Sequence, residues 1–473
     1  MNDLRNTEAA IAGQSAVKRR RRSVMLVIVV GVLAVAVGVA GVIALRTSES
    51  SLEPLPPAPV GGSETPDDPP VPRIPAVPCQ LPGDVWLYGL CGNADDWLTS
   101  VAISGAGTVI AAGWSDSVDG SFAGLQDQDT NGFMAIFEPG GLLWLQRDSI
   151  FVHDVKAAPD GTVVAVGQKE IDGYDATVAK YDELGNAIWQ VHFTPAGLIY
   201  PSFRGAAISQ DGTITAWGTA DDPAGQPHQF HVIMAQYTGD GVLMWSHDYG
   251  EAHIGIGVPE GATVDADGNI FLVGRATQSN TKEGEFGDAM VSKFSPGGEL
   301  LWSRTFGGSY EEQFNAATTA PNGHIIAVGS SRSPDGVFAT TGDGMGVLAE
   351  IDQDGNLVSV WTHSTKYLID FKDIAPNPDG GYVIAGLTGR HNGDALVLVV
   401  RDLASVNDSD FLVWKKTFGG NGQDGFGNIA VDSNGGIVVA GTTTSVDGSL
   451  PPSHGGMDAV VIRLSPDGDI MPL

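Results

Sequence analysis

Carboxylate and amide side chains in residues 127–132 are spaced as in loops that bind a hard cation. Asp127, Asp129 and Asn131 occupy alternate positions, and Gly132 follows them. Oxygen ligands at alternate positions, with a glycine that permits a sharp turn, are the pattern of a calcium loop. The residues after Gly132 predict a strand, whereas an EF-hand continues as a helix. The choice therefore lies between a partial calcium loop and an ordinary acidic turn.

Acidic side chains also stand near the beginning of a short strand in several repeats of the chain. If equivalent positions of successive repeats form a ring, these carboxylates would make a rim that binds or concentrates cations at the mouth of a channel. The alternative is that they cap turns and accept hydrogen bonds from backbone N–H groups. The residues are Asp95, Asp96, Asp154, Glu260, Glu311, Glu312, Asp370 and Asp424.

Other common chemistries have no signature in this chain. The sequence contains no serine nucleophile elbow, phosphate-binding loop, zinc-protease helix motif or dinucleotide fingerprint. Its 56 acidic and 25 basic residues give a formal net charge of −31, which argues against nucleic acid as a partner. We therefore identify no catalytic residue and no organic cofactor, and calcium is the one metal that the spacing suggests.

One sequence unit recurs along the chain, and this repetition decides the fold. Each unit contains a small apolar run closed by glycine, and in most units an Asp-Gly or Asn-Gly hairpin turn precedes that run. A tryptophan follows a later turn in six of the units: Trp144, Trp189, Trp245, Trp302, Trp361 and Trp414. The pattern predicts four antiparallel strands in each unit and seven units in all.

The two ends of the repeat region predict how the units are arranged. Gly83 to Gly89 read as the fourth strand of a unit, but the first three strands do not precede them. The last unit, in turn, stops after the strand Asp458 to Leu464. Sheets of this size bury both faces when they pack against two neighbours around an axis; the alternative is a solenoid or two stacked sandwiches, and the complementary ends argue against it. We therefore predict an all-β fold, a seven-bladed β-propeller over residues 79–473, closed by the N-terminal strand.

The unit resembles the bacterial seven-bladed β-propeller repeat (SBBP-type) family. The resemblance is strongest over residues 288–308, which read DAMVSKFSPGGELLWSRTFGG, and parts of this stretch return at 414–420 and 458–468. A further element of the family resembles Ser117 to Gly120, Ser333 to Gly336 and Ser445 to Gly448. The resemblance covers about residues 83–470. It implies the fold and a surface or secreted location, and it assigns no catalytic residue.

The N-terminal part of the chain predicts a membrane anchor. Residues 24–45 contain no charge, and as a helix rising about 1.5 Å per residue they would span about 33 Å. The basic run Lys18 to Arg22 places residues 1–23 in the cytoplasm and the remainder outside. Residues 46–78 are proline-rich and predict an extended linker. The alternative is a cleaved signal and a secreted protein.

The two cysteines of the chain, Cys79 and Cys91, lie on either side of the predicted closing strand. Outside the cell a disulfide between them is permitted, and closing a loop of this length could contribute about 3 kcal/mol. The alternative is two buried thiols.

These features together predict a single-pass membrane protein whose extracytoplasmic propeller is a binding or scaffolding module. Its partner would be a cell-wall component, a glycan or a protein. The variable loops expected to gather on one face are Trp114 to Asn131, Thr219 to Gln229, Arg275 to Gly287, Ser330 to Asp343 and Thr442 to Gly456. Two alternatives remain open: a carbohydrate-active or other enzyme that uses carboxylates at the channel mouth, and a structural spacer.

Overall fold

A computed structural model describes most of the chain from residue 85 onward. The described residues belong to one compact unit. Among them, no helix has the length and apolar character needed to cross a membrane. The predicted membrane segment 24–45 and the linker 46–78 lie outside the described residues. The described ranges are 85–125, 131–138, 141–147, 150–170, 174–223, 230–251, 258–276, 287–339, 344–365, 367–389 and 393–472.

In the described residues, twenty-eight strands form seven four-stranded antiparallel sheets, and this part of the chain is an all-β seven-bladed propeller. Blades are numbered here in chain order. Blade 1 comprises β2 (Asp96–Ile103), β3 (Val109–Ser115), β4 (Gly132–Glu138) and β5 (Gly141–Arg147). Blade 2 comprises β6 (Phe151–Ala157), β7 (Val163–Glu170), β8 (Tyr174–Tyr181) and β9 (Ala187–Phe193). Blade 3 comprises β10 (Ile199–Ile208), β11 (Ile214–Asp221), β12 (Phe230–Tyr237) and β13 (Leu243–Glu251).

Blades 4 to 7 follow the same plan, and the last of them takes its fourth strand from the other end of the chain. Blade 4 comprises β14 (Val258–Val264), β15 (Ile270–Arg275), β16 (Ala289–Phe294) and β17 (Leu300–Phe306), and blade 5 comprises β18 (Glu312–Thr319), β19 (Ile325–Ser331), β20 (Met345–Ile351) and β21 (Leu357–His363). Blade 6 comprises β22 (Ile369–Pro376), β23 (Tyr382–Thr388), β24 (Ala395–Val400) and β25 (Leu412–Phe418). Blade 7 comprises β26 (Asp424–Val431), β27 (Ile437–Thr443), β28 (Asp458–Leu464) and β1 (Leu87–Leu90).

Strand β1 is the edge strand of blade 7, paired antiparallel with β28 from Leu87 opposite Ile462 to Leu90 opposite Ala459. Trp86 lies just before the strand, and its backbone N–H donates to the Met471 carbonyl at 2.8 Å. The first strand of every blade contacts the first strands of both neighbouring blades, including β26 with β2. The seven first strands therefore surround a central axis without a gap.

The glycine that closes each second strand has a geometric cause. Every first strand has a β-bulge near its middle, and the residue just before the bulge pairs with that glycine, as Leu98 pairs with Gly113 and Phe426 with Gly441. The bulge brings a first-strand carbonyl over the second strand, and a Cβ on Gly113 would overlap the Trp97 carbonyl oxygen. Only glycine leaves room for this approach.

The recurring tryptophans join neighbouring blades. Trp189, Trp245, Trp302 and Trp414 stand on fourth strands and donate their indole N–H to a turn carbonyl of the next blade, at 2.9–3.3 Å. The equivalent Trp86 is 1% exposed, and its ring lies 5.3 Å from that of Phe137 in blade 1. Trp86 therefore packs across the junction between the last blade and the first.

The two faces of the propeller differ in their connections. Turns between first and second strands are short and uniform, such as residues 104–108 and 432–436. Because the strands alternate in direction, the connections between second and third strands all lie on the opposite face, together with the links between blades. These connections vary from residues 171–173 in blade 2 to residues 116–131 in blade 1. We call this side the loop face.

Trp86→Ala should destabilise the propeller more than the same change at an equivalent tryptophan. Truncating a fully buried tryptophan costs about 3–5 kcal/mol, and here the loss falls on the junction that closes the ring. Trp414→Ala is the matched control, because Trp414 is only half-buried, and it should cost about 1–3 kcal/mol. Denaturant unfolding measures both values, and equal losses would contradict a special role for the closing segment.

Candidate functional site

The predicted calcium loop is described only in part. Asp127 and Asp129 lie outside the described residues. Asn131 is exposed at the end of the loop, and its Nδ2 donates to Asp116 Oδ1 at 2.7 Å. An amide engaged with a neighbouring carboxylate fits an ordinary acidic turn, and calcium binding at this loop stays a prediction.

The predicted disulfide also involves a residue outside the description, Cys79. Cys91 is buried at the end of β1 and does not carry a free thiol. Its backbone carbonyl accepts the Ser121 N–H at 2.8 Å. The pairing of Cys79 with Cys91 stays a prediction.

Six of the eight acids of the predicted carboxylate rim divide into two sets with different roles. Asp96, Glu312 and Asp424 begin their first strands and are at most 1% exposed. Glu312 accepts hydrogen bonds from Ser331 Oγ at 3.1 Å and from the Gly308 N–H at 2.9 Å. Asp424 accepts from Ser445 Oγ at 2.7 Å and from the Gly420 N–H at 3.0 Å. These side chains fasten loops and do not line a channel.

The repeated Ser-Xaa-Asp-Gly element adds further hydrogen bonds between the same loops. Asp119, Asp335 and Asp447 each accept the backbone N–H of a residue in the preceding link between blades, at 2.7–2.8 Å. The element thus ties a loop of one blade to the connection that enters the same blade. Its recurrence in blades 1, 5 and 7 is explained by loop structure without a ligand.

The second set surrounds the axis. The bulge residue of each first strand projects where seven equivalent positions meet, and these residues are Thr99, His153, Arg204, Glu260, Asn315, Lys372 and Gly427. Asp154, Lys156, Asp370 and Asp373 stand beside them on β6 and β22. Acidic and basic groups are therefore interleaved around the axis, in contrast to the predicted purely acidic rim.

Lys156 is paired with one aspartate of its own blade and is influenced by the charge of another on a distant blade. Lys156 Nζ lies 3.1 Å from Asp154 Oδ1, and it also interacts electrostatically with Asp373 of blade 6. Burial lowers the pKa of Lys156, but the two carboxylates more than offset this, so its pKa is raised and it stays charged. Burial raises the pKa of Asp373 to about 6, although Lys156 and two backbone N–H groups oppose the shift.

The axial aspartates are fully engaged with protein donors. Asp154 accepts from Ser100 Oγ at 2.7 Å and from the Ala206 N–H at 3.1 Å, and so joins blades 1, 2 and 3. Asp373 accepts the N–H groups of Ile374 and Ile429 at 2.8 and 2.9 Å. Both oxygens of each carboxylate therefore accept hydrogen bonds, and these bonds connect different blades.

Three consecutive bulge residues are less constrained. The Nε2 atom of His153 is buried without a hydrogen-bond partner, and burial, assisted by Arg204, lowers the pKa of His153 to about 3. Arg204 and Glu260 are exposed to the channel. The channel walls limit the hydration of Glu260, which raises its pKa despite the nearby Arg275, Lys372 and Arg204. This stretch of the axis is therefore lined by polar and charged side chains.

The junction between blades 7 and 1 contains a group of metal-ligand type. Single ligand atoms of Cys91, His454 and Asp458 lie within 4.8 Å of one another. Asp96 is close by, and its pKa is raised to about 7, chiefly by burial and further by the Asp458 charge. Burial also raises the pKa of Asp458 to about 6. Because Cys91 has no free thiol, its sulfur is not a thiolate ligand in this structure.

The sequence interpretation missed most of these groups. His153, Lys156, Arg204, Lys372 and Asp373 face the axis, but none was predicted as a site residue. A signal for them exists in the chain: the glycine that closes each second strand marks the bulge opposite, and the next first-strand residue faces the axis. His454 has no comparable signal, because it lies in an irregular loop.

Asp373→Asn should change how stability depends on pH. The pKa of Asp373 is about 6 in the folded chain and about 4 when exposed, so folding takes up a proton between these values. The carboxylate therefore removes stability as pH rises from about 4 to 6, and asparagine does not. The variant should gain about 1–3 kcal/mol relative to the natural chain between pH 4 and 7.

Urea unfolding at a series of pH values measures this difference. Asp379→Asn is the control, since Asp379 is an exposed aspartate in a turn between a first and a second strand, and it corrects for the loss of one charge. A stability difference between Asp373→Asn and the natural chain that does not vary with pH would contradict the burial of this carboxyl group.

Comparisons with known proteins identify the fold and no more. No family model matches the sequence, and no curated protein is similar to it at a significant level. A puromycin hydrolase has a TM-score of 0.51 and 14% identity over 83% of this chain and 57% of its own, so this chain spans little more than half of that enzyme. A gluconolactonase from Xanthomonas campestris has a TM-score of 0.37 and 16% identity over 70% of this chain and 95% of its own. At 14% identity, the similarity to the puromycin hydrolase shows a shared fold alone.

Proposed function

We propose that this propeller is an extracytoplasmic binding module that recognises its partner with the loop face. The observation that carries the proposal is the distribution of exposed aromatic side chains. All four exposed tyrosines of the described chain stand at the loop face: Tyr174, Tyr200, Tyr310 and Tyr367, with 38–59% of their surface accessible. The large exposed apolar residues near the opposite face and on the fourth strands are aliphatic.

Exposed tyrosines on one face suit recognition for a physical reason. A tyrosine offers a large rigid ring and a hydroxyl at low cost in conformational entropy, and it is enriched in binding surfaces. Tyr174 and Tyr200 form a pair with ring centroids 5.8 Å apart, at the junction of blades 2 and 3. Glycans and proteins are both bound by such rings.

Tyr200 also has an unusual backbone conformation. Its φ angle is 51°, and it is the one non-glycine residue with a positive φ among the described residues. A bulky residue in this region carries strain of about 1–3 kcal/mol, and such strain is concentrated at functional sites. The ring of Tyr200 is exposed and lies beside Tyr174, which supports a role in contact with a partner.

The channel supports catalysis less well than the loop face supports binding. The axial aspartates use their oxygens to join blades, and the acids of the loop fastenings are buried. The proposal includes the cellular location of the module. The apolar segment 24–45 would anchor it in the membrane, and the linker 46–78 would hold the propeller away from the membrane surface. Membership of the SBBP-type family is part of the same proposal, which the repeated Ser-Xaa-Asp-Gly elements support.

Replacing the tyrosine pair should abolish binding while the propeller stays folded. The double variant Tyr174→Ala/Tyr200→Ala should bind immobilised cell-wall glycans at least about tenfold more weakly than the natural chain, because exposed aromatic rings supply much of the contact energy in such surfaces. Surface plasmon resonance with the full-length protein measures the affinity, and circular dichroism checks the fold.

Leu184→Ala and Leu301→Ala are the matched controls, since both leucines are exposed, at 47% and 51%, away from the loop face. Their affinities should equal that of the natural chain. Equal binding by all variants would place recognition elsewhere on the molecule.

A further inference from the structure

Two bulge residues at the propeller axis use their polar groups to join neighbouring blades. Thr99 Oγ1 donates to the Val152 carbonyl of blade 2 at 2.9 Å. Asn315 Nδ2 donates to the Phe371 carbonyl of blade 6 at 2.6 Å. In both cases the acceptor is the residue just before the bulge of the next blade. The side chains of these two bulge residues are therefore occupied by the fold itself.

The bulge residues of blades 2, 3 and 4 make no such bond. The Nε2 atom of His153 is buried without a partner. Within the part of the chain that the structure describes, Arg204 and Glu260 form no hydrogen bond and no ion pair at salt-bridge distance. Three consecutive positions of the ring thus carry polar groups that do not hold the blades together.

The other charged side chains of the axis are already paired. Lys156 Nζ lies 3.1 Å from Asp154 Oδ1, and Lys372 Nζ lies 2.6 Å from Asp370 Oδ2. Among the described residues at the axis, Arg204 is therefore the cation that has no carboxylate at salt-bridge distance. An unpaired guanidinium in a channel is a site for a carboxylate or another anion.

Arg204 and Glu260 lie close together and face the axis. Their strands β10 and β14 contact each other, and the charge of Arg204 acts on both His153 and Glu260. The charge of Lys372 in blade 6 also acts on Glu260 in blade 4, which places Glu260 toward the centre of the ring. Arg204 and Glu260 are both exposed, and 31% of the Lys372 side chain is accessible, so solvent enters this part of the axis.

We propose that His153, Arg204 and Glu260 form a binding site for a small zwitterion of the aminocarboxylate class. The guanidinium of Arg204 would donate to the ligand carboxylate, and the carboxylate of Glu260 would accept from its ammonium group. One aminocarboxylate would thus complete both unpaired charges, whereas a simple ion would leave one of them unpaired.

The histidine completes this site without adding a charge. Burial and the charge of Arg204 lower the pKa of His153 to about 3, so its imidazole is neutral near pH 7. Its unpartnered Nε2 atom can form a hydrogen bond with the polar end of a ligand held by Arg204. The site is distinct from the exposed tyrosines of the loop face, and binding at one does not require binding at the other.

The test is a ligand-observed NMR titration of the full-length protein with glycine, β-alanine and 4-aminobutanoate, which differ in the spacing of their two charged groups. At least one of the three should bind in a saturable way at one site per chain, and more tightly than acetate or methylamine. Arg204→Gln and Glu260→Gln should each weaken that binding by at least about tenfold, because each removes one charge-assisted contact. Glu260→Gln should also remove the preference for the aminocarboxylate over acetate.

Arg304→Gln and Glu299→Gln are the matched controls, because they make the same charge changes at exposed positions on and beside the outer strand β17. Both should bind as the natural chain does, and circular dichroism checks that every variant is folded. Because two ligand-contacting variants are used, one that misfolds leaves the other as the test. Equal binding by Arg204→Gln and Arg304→Gln, or by Glu260→Gln and Glu299→Gln, would overturn the site. So would the absence of saturable binding by all three aminocarboxylates, or acetate binding as tight as theirs.

Discussion

The pairing of β1 with β28 is the interaction on which the rest of the structure depends. Each four-stranded sheet has two apolar faces, and neither can be buried without a neighbour on that side. Blades 2 to 6 have both neighbours from chain order alone, but blades 7 and 1 become neighbours only when the ring closes. The Leu87–Leu90 strand provides the edge strand of blade 7, and Trp86, Tyr88 and Leu90 belong to the core shared with blade 1.

Closure also determines where functional groups can meet. The first strands surround the axis, so bulge residues that are about fifty positions apart in sequence become neighbours. The charge of Asp373 in blade 6 therefore acts on Lys156 in blade 2. The same closure brings Asp96 near one end of the repeat region beside Asp458 near the other. Asp96 of the first blade and Asp458 of the last therefore act on each other only in the closed ring.

The fold was predictable because it depends on features that recur. Seven copies of a glycine-closed run and an outer tryptophan predict strand order, blade number and the role of tryptophan at blade junctions, as Trp302 and Trp414 show. The site was less predictable, since equivalent positions hold different residues. Asp96 and Asp154 both looked like rim acids, yet one fastens a loop and the other joins three blades. What distinguishes them is their position relative to the β-bulge of the first strand: Asp96 lies before the bulge at the start of β2, and Asp154 lies directly after the bulge of β6. The position of His454 follows from an irregular loop, whose course the pattern of apolar residues does not specify.

Hydrogen exchange at the amides of β28 tests the closure of the ring most directly. In the full-length protein these amides should be protected as strongly as those of β24, the equivalent strand of blade 6, because both are interior strands of closed blades. Deleting residues 85–90 turns β28 into an edge, so its amides should exchange much faster while those of β24 change less. Unchanged protection of β28 after this deletion would show that the N-terminal strand does not close the propeller.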